Sequence, residues 1–445
     1  MKPITLRYDA PCLAISHRTV ARTVASVGLL ACIAGSGLAH AETAQATREA
    51  PGPDALSLAE AHRLALEQHP TLAASALSVR AQEALGAQAG RWRNPDLSVQ
   101  VENVVGSGVF EGTDLAETTV ALSQPFELGG KPGKRRDVAN RGANLKAVEH
   151  TLLERELRAQ VTAAFVEALG AQRRLELAEE LLRDTGESAA QIERDAAAGR
   201  APAVDASRAR VEVSRAHVAR DRSRGRLAAA HVRLRATLGS EENETRPLVG
   251  ELSRVIDPPS LDALLDAVHD APALARWEQQ LDVNRAALRL ERSRLAPDVT
   301  LSAGYRRLSA SDDNMAVFGV ALPIPLFDRN RDKVAAAGFE LQRASAGLRE
   351  ARLRLRAEIS LAHERLSTTA DEARHLTSNV LPEARRAFEK AKRSYAARQL
   401  SFLELIDTRR TLYRARTELL DDLEAYHRAV TEIERLVDLR VGPEL

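Results

Sequence analysis

The sequence contains few cysteines and few aromatic residues. Only two of its 445 residues are cysteine, Cys12 and Cys32, and Phe, Trp and Tyr together make up 3%. Because both cysteines lie near the amino terminus, the remainder of the chain has no thiol that could form a disulfide or bind a metal. A low aromatic content beside abundant Ala, Leu, Arg and Glu favours long helices with apolar seams over compact β-sandwich cores.

An excess of charge of either sign is also missing. The chain has 63 basic and 62 acidic residues, which nearly cancel. A protein that binds nucleic acid or another polyanion usually carries a clear basic excess. The balance therefore indicates no nucleic-acid partner.

Motifs of enzymatic chemistry are absent as well. The eleven histidines are scattered, and the sequence has no H-E-x-x-H motif, cysteine pair, nucleophile elbow or phosphate-binding loop. His62 and His69 fall on one predicted helix, but two turns apart is too far for a single metal ion. The sequence therefore predicts a protein that is not an enzyme, with no cofactor and no metal site.

The amino terminus has the features of a targeting segment. Basic residues precede the apolar stretch "VASVGLLACIAGSGLAHA", which ends in an A-x-A cleavage site at Ala41. We expect residues 1–41 to be a signal peptide and the mature chain to lie beyond the inner membrane. An alternative makes "LLAC" a lipobox with Cys32 as the lipidated first residue, although Leu30 is unfavourable just before the small residue there.

Long apolar runs are missing from the rest of the chain. No later stretch approaches the roughly 18 consecutive apolar residues that a membrane helix needs. The mature chain is therefore expected either to be soluble in the periplasm or to cross a membrane as β-strands.

What the sequence does contain is an internal repeat. Three landmarks recur in the same order, at offsets of about 202, 200 and 199 residues. They are "NPDLSVQVENVV" (from Asn94) and "APDVTLSAGYRR" (from Ala296), "VALSQPFELGGK" (from Val120) and "VALPIPLFDRNR" (from Val320), and "GRAPAVDASRAR" (from Gly199) and "RQLSFLELIDTR" (from Arg398). Three coincidences in register predict a duplicated unit, approximately residues 57–239 and 260–440.

Each unit contains two short segments of alternating polarity. In the first, Leu97, Val99 and Val101 alternate with polar residues. This period of two predicts β-hairpins at residues 97–124 and 297–327, with strands about ten residues long, the length that a tilted strand needs to cross a bilayer. The alternative is a hairpin on a soluble α+β domain. Two hairpins cannot close a barrel alone, so a membrane role requires several chains.

Long helical segments follow each hairpin, at residues 131–239 and 332–440. The first is interrupted by "AAGRAPA" and the second by Pro382 and "AARQLS". Apolar residues recur every seven positions in the last helix, on one seam at Leu405, Leu412, Leu419, Tyr426 and Ile433 and on a second at Leu423, Val430 and Val437. Two seams indicate coiled-coil packing against more than one neighbour, and helices of about 50 to 60 residues would span roughly 75 to 90 Å. Residues 42–96 are predicted to form amino-terminal periplasmic helices, and 240–296 a linker with equatorial helices.

These features together resemble the TolC-type outer membrane factors. The resemblance covers essentially the whole mature chain. Its most specific parts are "YAARQLSFLELIDTRRTLYRARTELLDDLEAY" near the carboxyl terminus and the two strand-to-helix junctions. The junction "LSQPFELGGK" is similar to the subgroup that serves cobalt-zinc-cadmium (CzcC-type) efflux systems.

The resemblance implies a mainly α fold with membrane β-strands. Three chains would form a homotrimer in the outer membrane, each contributing four strands to one closed twelve-stranded β-barrel. Long antiparallel coiled-coil helices would form a periplasmic α-barrel. This tube would dock onto a periplasmic adaptor (membrane fusion) protein that links it to an inner-membrane pump of the resistance-nodulation-division (RND) type.

The function that the resemblance implies is the exit duct of a tripartite efflux system, with divalent heavy-metal cations such as cobalt, zinc and cadmium as cargo. Drug efflux and type I protein secretion use the same kind of duct and remain open alternatives. A purely structural periplasmic coiled coil would explain the heptads but neither the hairpins nor their duplication.

Two acids stand one helical turn apart at the predicted periplasmic tip. Ser401 and Glu404 fit a capping box, which accounts for Glu404 but does not require Asp407. In the family, two acids at this position line the narrowest point of the closed entrance. The resemblance therefore implies that Glu404 and Asp407 form a ring of carboxylates that favours cations and repels anions. The two roles can coexist.

The family also holds the closed tip by polar contacts between neighbouring hairpins. The matching residues are Asp205 and Tyr395, which would form a phenol–carboxylate hydrogen bond, although simple packing between helices is the alternative for Tyr395. The Arg that the family has four residues before the first acid is Leu400 here. Part of the latch is therefore missing, or Arg398 replaces it.

The two tip turns are the predicted contacts of the adaptor. They comprise Gly199, Arg200, Ala201, Pro202, Arg398, Gln399, Leu400 and Ser401. Pro202 is expected at the first helical position, which explains it without any partner.

A basic cluster follows each returning strand. The clusters comprise Lys131, Lys134, Arg135, Arg136, Arg329, Arg331 and Lys333. Because cations at a helix start oppose the macrodipole, a compensating group is expected. Outer-membrane phospholipid head groups would supply it; a solvated charged surface is the alternative.

Overall fold

The structure is a computed structural model that describes residues 55–240 and 246–443. The predicted signal peptide and Cys32 lie outside the described residues. The helices are α1 Leu58–Gln68, α2 Pro70–Ala89, α3 Lys131–Ala197, α4 Ala203–Leu238, α5 Leu261–Asp266, α6 Pro272–Ser293, α7 Arg331–His375, α8 Leu381–Ala396 and α9 Phe402–Leu436. The strands are β1 Leu56–Ser57, β2 Asp96–Glu102, β3 Glu117–Phe126, β4 Leu248–Val249, β5 Val299–Leu308 and β6 Asn314–Ala321. The described part of the chain is mainly helical.

The longest helix, α3, begins and ends where the sequence supplies the required backbone. Gly129 and Gly130 precede it with φ angles of 72° and 68°, a left-handed conformation that side chains disfavour. Pro132 follows in the first turn, where its missing N–H needs no partner. At about 1.5 Å per residue, 67 residues make a helix roughly 100 Å long.

The second helical segment is distorted near Pro382 rather than ended by it. One π-helical turn, Leu376–Val380, connects α7 directly to α8. Proline has no N–H with which to bond the carbonyl one turn earlier, and its ring crowds that carbonyl. A wider turn relieves both conflicts without ending the helix.

The four longer strands form one antiparallel sheet with the order β2-β3-β5-β6. The return strand of the first hairpin pairs with the outgoing strand of the second, with Val120 opposite Tyr305. The two predicted hairpins are therefore joined within one chain. Strands β2 and β6 are left as the edges of this sheet, and neither has an outer partner among residues 55–240 and 246–443.

Most of the exposed apolar side chains of this sheet share one face, and Met315, opposite Arg306, lies on the other. Those that share a face are Leu97, Val99, Val101, Val120, Leu122, Leu301, Tyr305, Phe318 and Val320. On the opposite face the Arg306 guanidinium donates to Thr119 Oγ1 (2.8 Å) and Glu117 Oε2 (2.9 Å). A sheet with one apolar face and one polar face fits an apolar surrounding on one side and water on the other.

Helix α9 buries its predicted seams against α3, α7 and α8. Of the first seam, all residues but the partly buried Leu419 are buried, and the second seam is buried throughout. A short parallel pair that the sequence did not reveal, β1 with β4, ties the start of the described chain to the linker. The linker in turn contacts α9, where His427 Nε2 lies 2.9 Å from the Leu252 carbonyl oxygen.

A buried ion pair joins the two halves of the chain. Glu424 of α9 is 5% exposed and pairs with Arg174 of α3, which also pairs with Asp421. Burial raises the pKa of the Glu424 carboxyl, and Arg174 opposes this effect. The carboxylate lies beside Gly170, where an added Cβ atom would stand 1.6 Å from Glu424 Oε1. Gly170 therefore makes room for the pair because it has no side chain.

Candidate functional site

The two tip turns, α3–α4 and α8–α9, have the same backbone conformation. Gly199 and Arg398 occupy equivalent left-handed positions, with φ angles of 68° and 59°. In each turn the amide of the following residue bonds to the carbonyl five residues earlier, at 2.7 and 2.9 Å. This is the Schellman arrangement that ends many helices. Pro202 is the N-cap of α4 and not its first helical residue, which corrects the prediction by one position.

A cavity of about 740 Å³ lies between the two turns. Asp205 and Tyr395 both line it, as the gate prediction requires. However, Asp205 pairs with Arg208 (3.4 Å), while the Tyr395 ring packs against Phe402 with centroids 6.0 Å apart. Within the described chain their side chains form no hydrogen bond to each other, so a gating contact between them stays a prediction.

The predicted capping box is confirmed at the start of α9. Ser401 Oγ accepts from the Glu404 amide (3.3 Å), and Glu404 Oε2 accepts from the Ser401 amide (2.9 Å) and hydroxyl (2.7 Å). These bonds, first the one from the hydroxyl, lower the pKa of the Glu404 carboxyl. The side chain is thereby held against its own turn and stays ionised.

Asp407 stands one turn further along α9. It is exposed and lines, together with Glu404, a cavity of about 680 Å³. In the part of the chain that the structure describes, no side chain donates to its carboxylate. The capping box therefore explains Glu404 but not Asp407. The constriction prediction for Asp407 thus has no competing structural explanation within the described chain.

Two residues that the sequence interpretation missed tie α9 to α3. Arg409 is 3% exposed, and its Nη1 atom lies 3.3 Å from Ser188 Oγ and 3.5 Å from the Asp184 carbonyl oxygen. The Tyr413 hydroxyl donates to Asp184 Oδ2 at 2.8 Å. Burial lowers the pKa of Arg409 and raises that of Tyr413. These bonds therefore hold α9 to α3 about two helical turns from the start of α9.

A signal for this fastening was present in the heptads. Counting back by sevens from Leu423 on the second seam reaches Arg416 and Arg409. Arginine at a seam position must find polar partners within the packed interface, because a buried unpaired charge is strongly unfavourable. Arg416 does so with Glu180 (2.7 Å), and Arg410, next to the seam, pairs with Glu212 of α4 (2.5 Å).

Replacing Tyr413 with phenylalanine is expected to lower the free energy of unfolding by about 2 kcal/mol, because Asp184 loses a hydrogen bond made to a charged acceptor. Thermal unfolding of the purified protein, followed by circular dichroism, measures this. Tyr395→Phe is the matched control, since the described chain gives its hydroxyl no partner. An equal loss in both variants would contradict the assignment to Asp184.

The basic cluster at the start of α3 finds its counter-ions within the chain. Lys131 Nζ lies 2.5 Å from Asp298 Oδ1, and Arg135 makes two bonds to Glu127 at 2.5 and 2.8 Å. Lys131 and Arg135 therefore have counter-ions within the chain and need none from lipid. Lys134 donates to the Gly129 carbonyl (2.9 Å). The lipid prediction stays untested for Lys134 and for the remaining members of the two clusters, Arg136, Arg329, Arg331 and Lys333.

Membrane-spanning helices and metal clusters are both absent from residues 55–240 and 246–443. No helix there combines the length and the apolarity needed to cross a membrane. No group of three or more His, Cys, Asp or Glu side chains there is arranged to hold a metal ion.

The family model described as "Outer membrane efflux protein" matches residues 61–240 and 264–437. Each matched segment contains one β-hairpin and one long helical hairpin. The chain belongs to the outer membrane efflux protein family.

Curated relatives agree with this membership. The chain is 32% identical to the cobalt-zinc-cadmium resistance protein CzcC of Cupriavidus metallidurans, over 88% of this chain and 91% of CzcC. It is 30% identical to the nickel-cobalt-cadmium resistance protein NccC of Alcaligenes xylosoxydans xylosoxydans, over 68% and 69%. The crystal structure of CusC shares the fold, with a TM-score of 0.71 at 20% identity over 84% and 90% of the two chains.

Proposed function

We propose that this protein is the outer-membrane exit duct of a tripartite system that exports divalent heavy-metal cations. The carrying observation is the sheet: one face is apolar and exposed, and both edge strands are unpaired within the described chain. In water the apolar face would be exposed, and in lipid the N–H and C=O groups of the edge strands would lack partners. Closure of the sheet with further copies of the chain removes both problems. Three copies would give a twelve-stranded barrel, which is within the range of outer-membrane barrels.

The helical hairpins would continue this barrel as a periplasmic tube. In a homotrimer, six hairpins would surround one axis, with the tips farthest from the sheet. The paired turns at Gly199 and Arg398 present two equivalent surfaces per chain, which suits a periplasmic adaptor that repeats around the tube. An inner-membrane pump of the RND type would deliver the cargo to this adaptor, and a signal peptide at residues 1–41 would export the chain.

Metal cations are the proposed cargo because the relatives that cover most of the chain are named for resistance to cobalt, zinc, cadmium and nickel. Glu404 and Asp407, placed threefold around the axis, would form a ring of carboxylates at the entrance. Such a ring lowers the energy of a cation in the pore and raises that of an anion. The cargo would pass without any chemical change.

Deleting the gene in its host is expected to reduce growth severalfold in Co(II), Zn(II) or Cd(II), with little change towards hydrophobic drugs. The minimum inhibitory concentration of each compound measures this, and the intact gene should restore resistance. Sensitivity to drugs alone would overturn the metal cargo but keep the duct. Fractionation of the same cells is the control for location: a soluble protein would overturn the duct itself.

A further inference from the structure

The two open edges of the sheet differ in how they end. Strand β6 stops at Ala321, but the chain continues without helix as Leu322-Pro323-Ile324-Pro325-Leu326. The side chains of Leu322, Ile324 and Leu326 are 51%, 73% and 64% exposed. On the other edge, β2 exposes Leu97, Val99 and Val101. Each edge strand therefore carries a row of exposed apolar side chains, while its unpaired backbone groups face whatever adjoins the edge.

The internal repeat predicts how strands of the two units pair. Outgoing strands are related by an offset of about 202 residues, and return strands by about 200. In the first hairpin Val99 lies opposite Val120. Shifting both by their offsets gives Leu301 opposite Val320, which is the pair found in the second hairpin. The offsets read from the sequence thus reproduce the strand register of the second hairpin.

The same offsets apply to the junction between units. Within the chain, Gln124 of β3 lies opposite Leu301 of β5. Adding the return-strand offset of 200 to residue 124 gives Ile324, and subtracting the outgoing-strand offset of 202 from residue 301 gives Val99. We propose that Ile324 of one subunit pairs directly with Val99 of the next, and Leu322 with Val101, so that residues 321–326 continue β6 along the neighbour's β2. This inference rests on the proposed trimeric duct and specifies its subunit contact.

Side-chain direction supports this register. Directly opposed residues of a pair point to the same face of a sheet, and a slip of one residue would send them to opposite faces. In β6 the even-numbered residues Phe318 and Val320 lie on the apolar face, and continued alternation places Leu322 and Ile324 there too. In β2 the odd-numbered residues lie on that face. The proposed pairs join even-numbered residues of one subunit to odd-numbered residues of the next, so both members of each pair lie on the apolar face.

The prolines support it independently. Pro125 lies within the β3–β5 ladder opposite Thr300 without interrupting it, because the even-numbered residues of β3 bond to β5: the Ser309 amide donates to the Ala116 carbonyl (2.9 Å), and these two residues continue the same register. Successive N–H groups of a strand point to alternate sides. On β6 the odd-numbered residues face β5, since the Leu308 amide donates to the Asp313 carbonyl (2.9 Å), so Pro323 and Pro325 leave that side without donors, which agrees with the end of β6 at Ala321. The N–H groups of Leu322 and Ile324 then face the open edge. That of Leu326 now bonds to the Ile324 carbonyl (2.9 Å) and would turn outwards on pairing.

Cysteine cross-linking in isolated outer membranes tests the register. Directly opposed residues of an antiparallel pair are about 5.5 Å apart at Cα, within reach of a disulfide, while diagonal neighbours are about 7–8 Å apart. Ile324→Cys with Val99→Cys, oxidised by copper phenanthroline, should give covalent dimers and trimers on a non-reducing gel. A bond within one chain is excluded because β2 and β6 are three strand spacings apart, roughly 14 Å. Each single-cysteine variant, oxidised in the same way, measures any cross-linking that involves Cys12 or Cys32.

Two alternative pairs separate failure of the register from failure of the trimer. Ile324→Cys with Val101→Cys, or with Leu97→Cys, tests a slip of two residues in each direction. Stronger cross-linking in either pair would overturn the register but leave the trimer intact. No cross-link in any pair, together with a single-chain mass in detergent, would overturn both. All four positions are exposed, so the substitutions do not disturb the packed helices.

Discussion

Replacing Gly170 with alanine should lower the free energy of unfolding by about 1–3 kcal/mol, the usual loss from overpacking a filled interface. An added Cβ atom would lie 1.6 Å from Glu424 Oε1 and 2.4 Å from Cδ, so the carboxylate must leave. The Glu424 side chain is 7% exposed and that of Arg174 17%, and each has one further partner, Arg428 for Glu424 and Asp421 for Arg174. The midpoint of thermal unfolding, followed by circular dichroism, should fall by several degrees.

Gly186 of the same helix provides the matched control. An added Cβ atom there meets nothing within 4 Å, so Gly186→Ala should be neutral or stabilising by about 0.5–1 kcal/mol, the usual gain in helix propensity. A double-mutant cycle with Glu424→Ala isolates the cause. If Gly170→Ala remains as damaging when Glu424 is already absent, overlap with the carboxylate is not the reason for the loss.

The regular parts of this fold were predictable because their periods are written into the sequence. A helix begins at Lys131, the residue from which the pattern predicts one. Strand alternation placed the first hairpin within two residues, whereas the second ends at Ala321, six residues before the predicted end. Heptad spacing identified Leu405, Tyr426 and Ile433 as buried. These features depend on local spacing, which a single sequence records directly.

Contacts between distant segments were not predictable in the same way. The pair of Glu424 with Arg174 joins positions 250 residues apart, and neither residue departs from the background of exposed charges on long helices. The β1–β4 pair is only two residues long, too short to show a period. Arg409 is the intermediate case, since its seam position was visible and its partner Ser188 was not.

The same distinction between local spacing and long-range contact applies to the candidate site. Capping of α9 by Ser401 follows from three-residue spacing and was correctly predicted. The compensation of Lys131 by Asp298 depends on how β5 and α3 meet, which sequence spacing does not encode. The roles of Glu404 and Asp407 in a shared pore depend on assembly and remain proposals, but the capping geometry now distinguishes the two acids.

Cation preference of the channel is expected to depend more on Asp407 than on Glu404. Both Glu404 hydrogen bonds from Ser401 hold its carboxylate against its own turn, whereas that of Asp407 has no donor among the described side chains. Asp407→Asn should therefore lower the cation-to-anion permeability ratio severalfold, because three charges would leave the ring of the proposed trimer at once. Glu404→Gln should lower it less. Reversal potentials in single-channel recordings under a salt gradient measure the ratio.

The pH dependence of the Asp407→Asn channel gives a second measurement of the same assignment. Its remaining ring charge would come from Glu404, whose pKa is lowered by the bonds from Ser401. A carboxyl with a lowered pKa stays charged further into acid, so the residual preference should persist below the usual titration range of glutamate. Adding Ser401→Ala removes the hydroxyl and should move the loss of preference to higher pH. Equal effects of Asp407→Asn and Glu404→Gln, with no response to Ser401→Ala, would contradict the division of roles and leave the two acids equivalent.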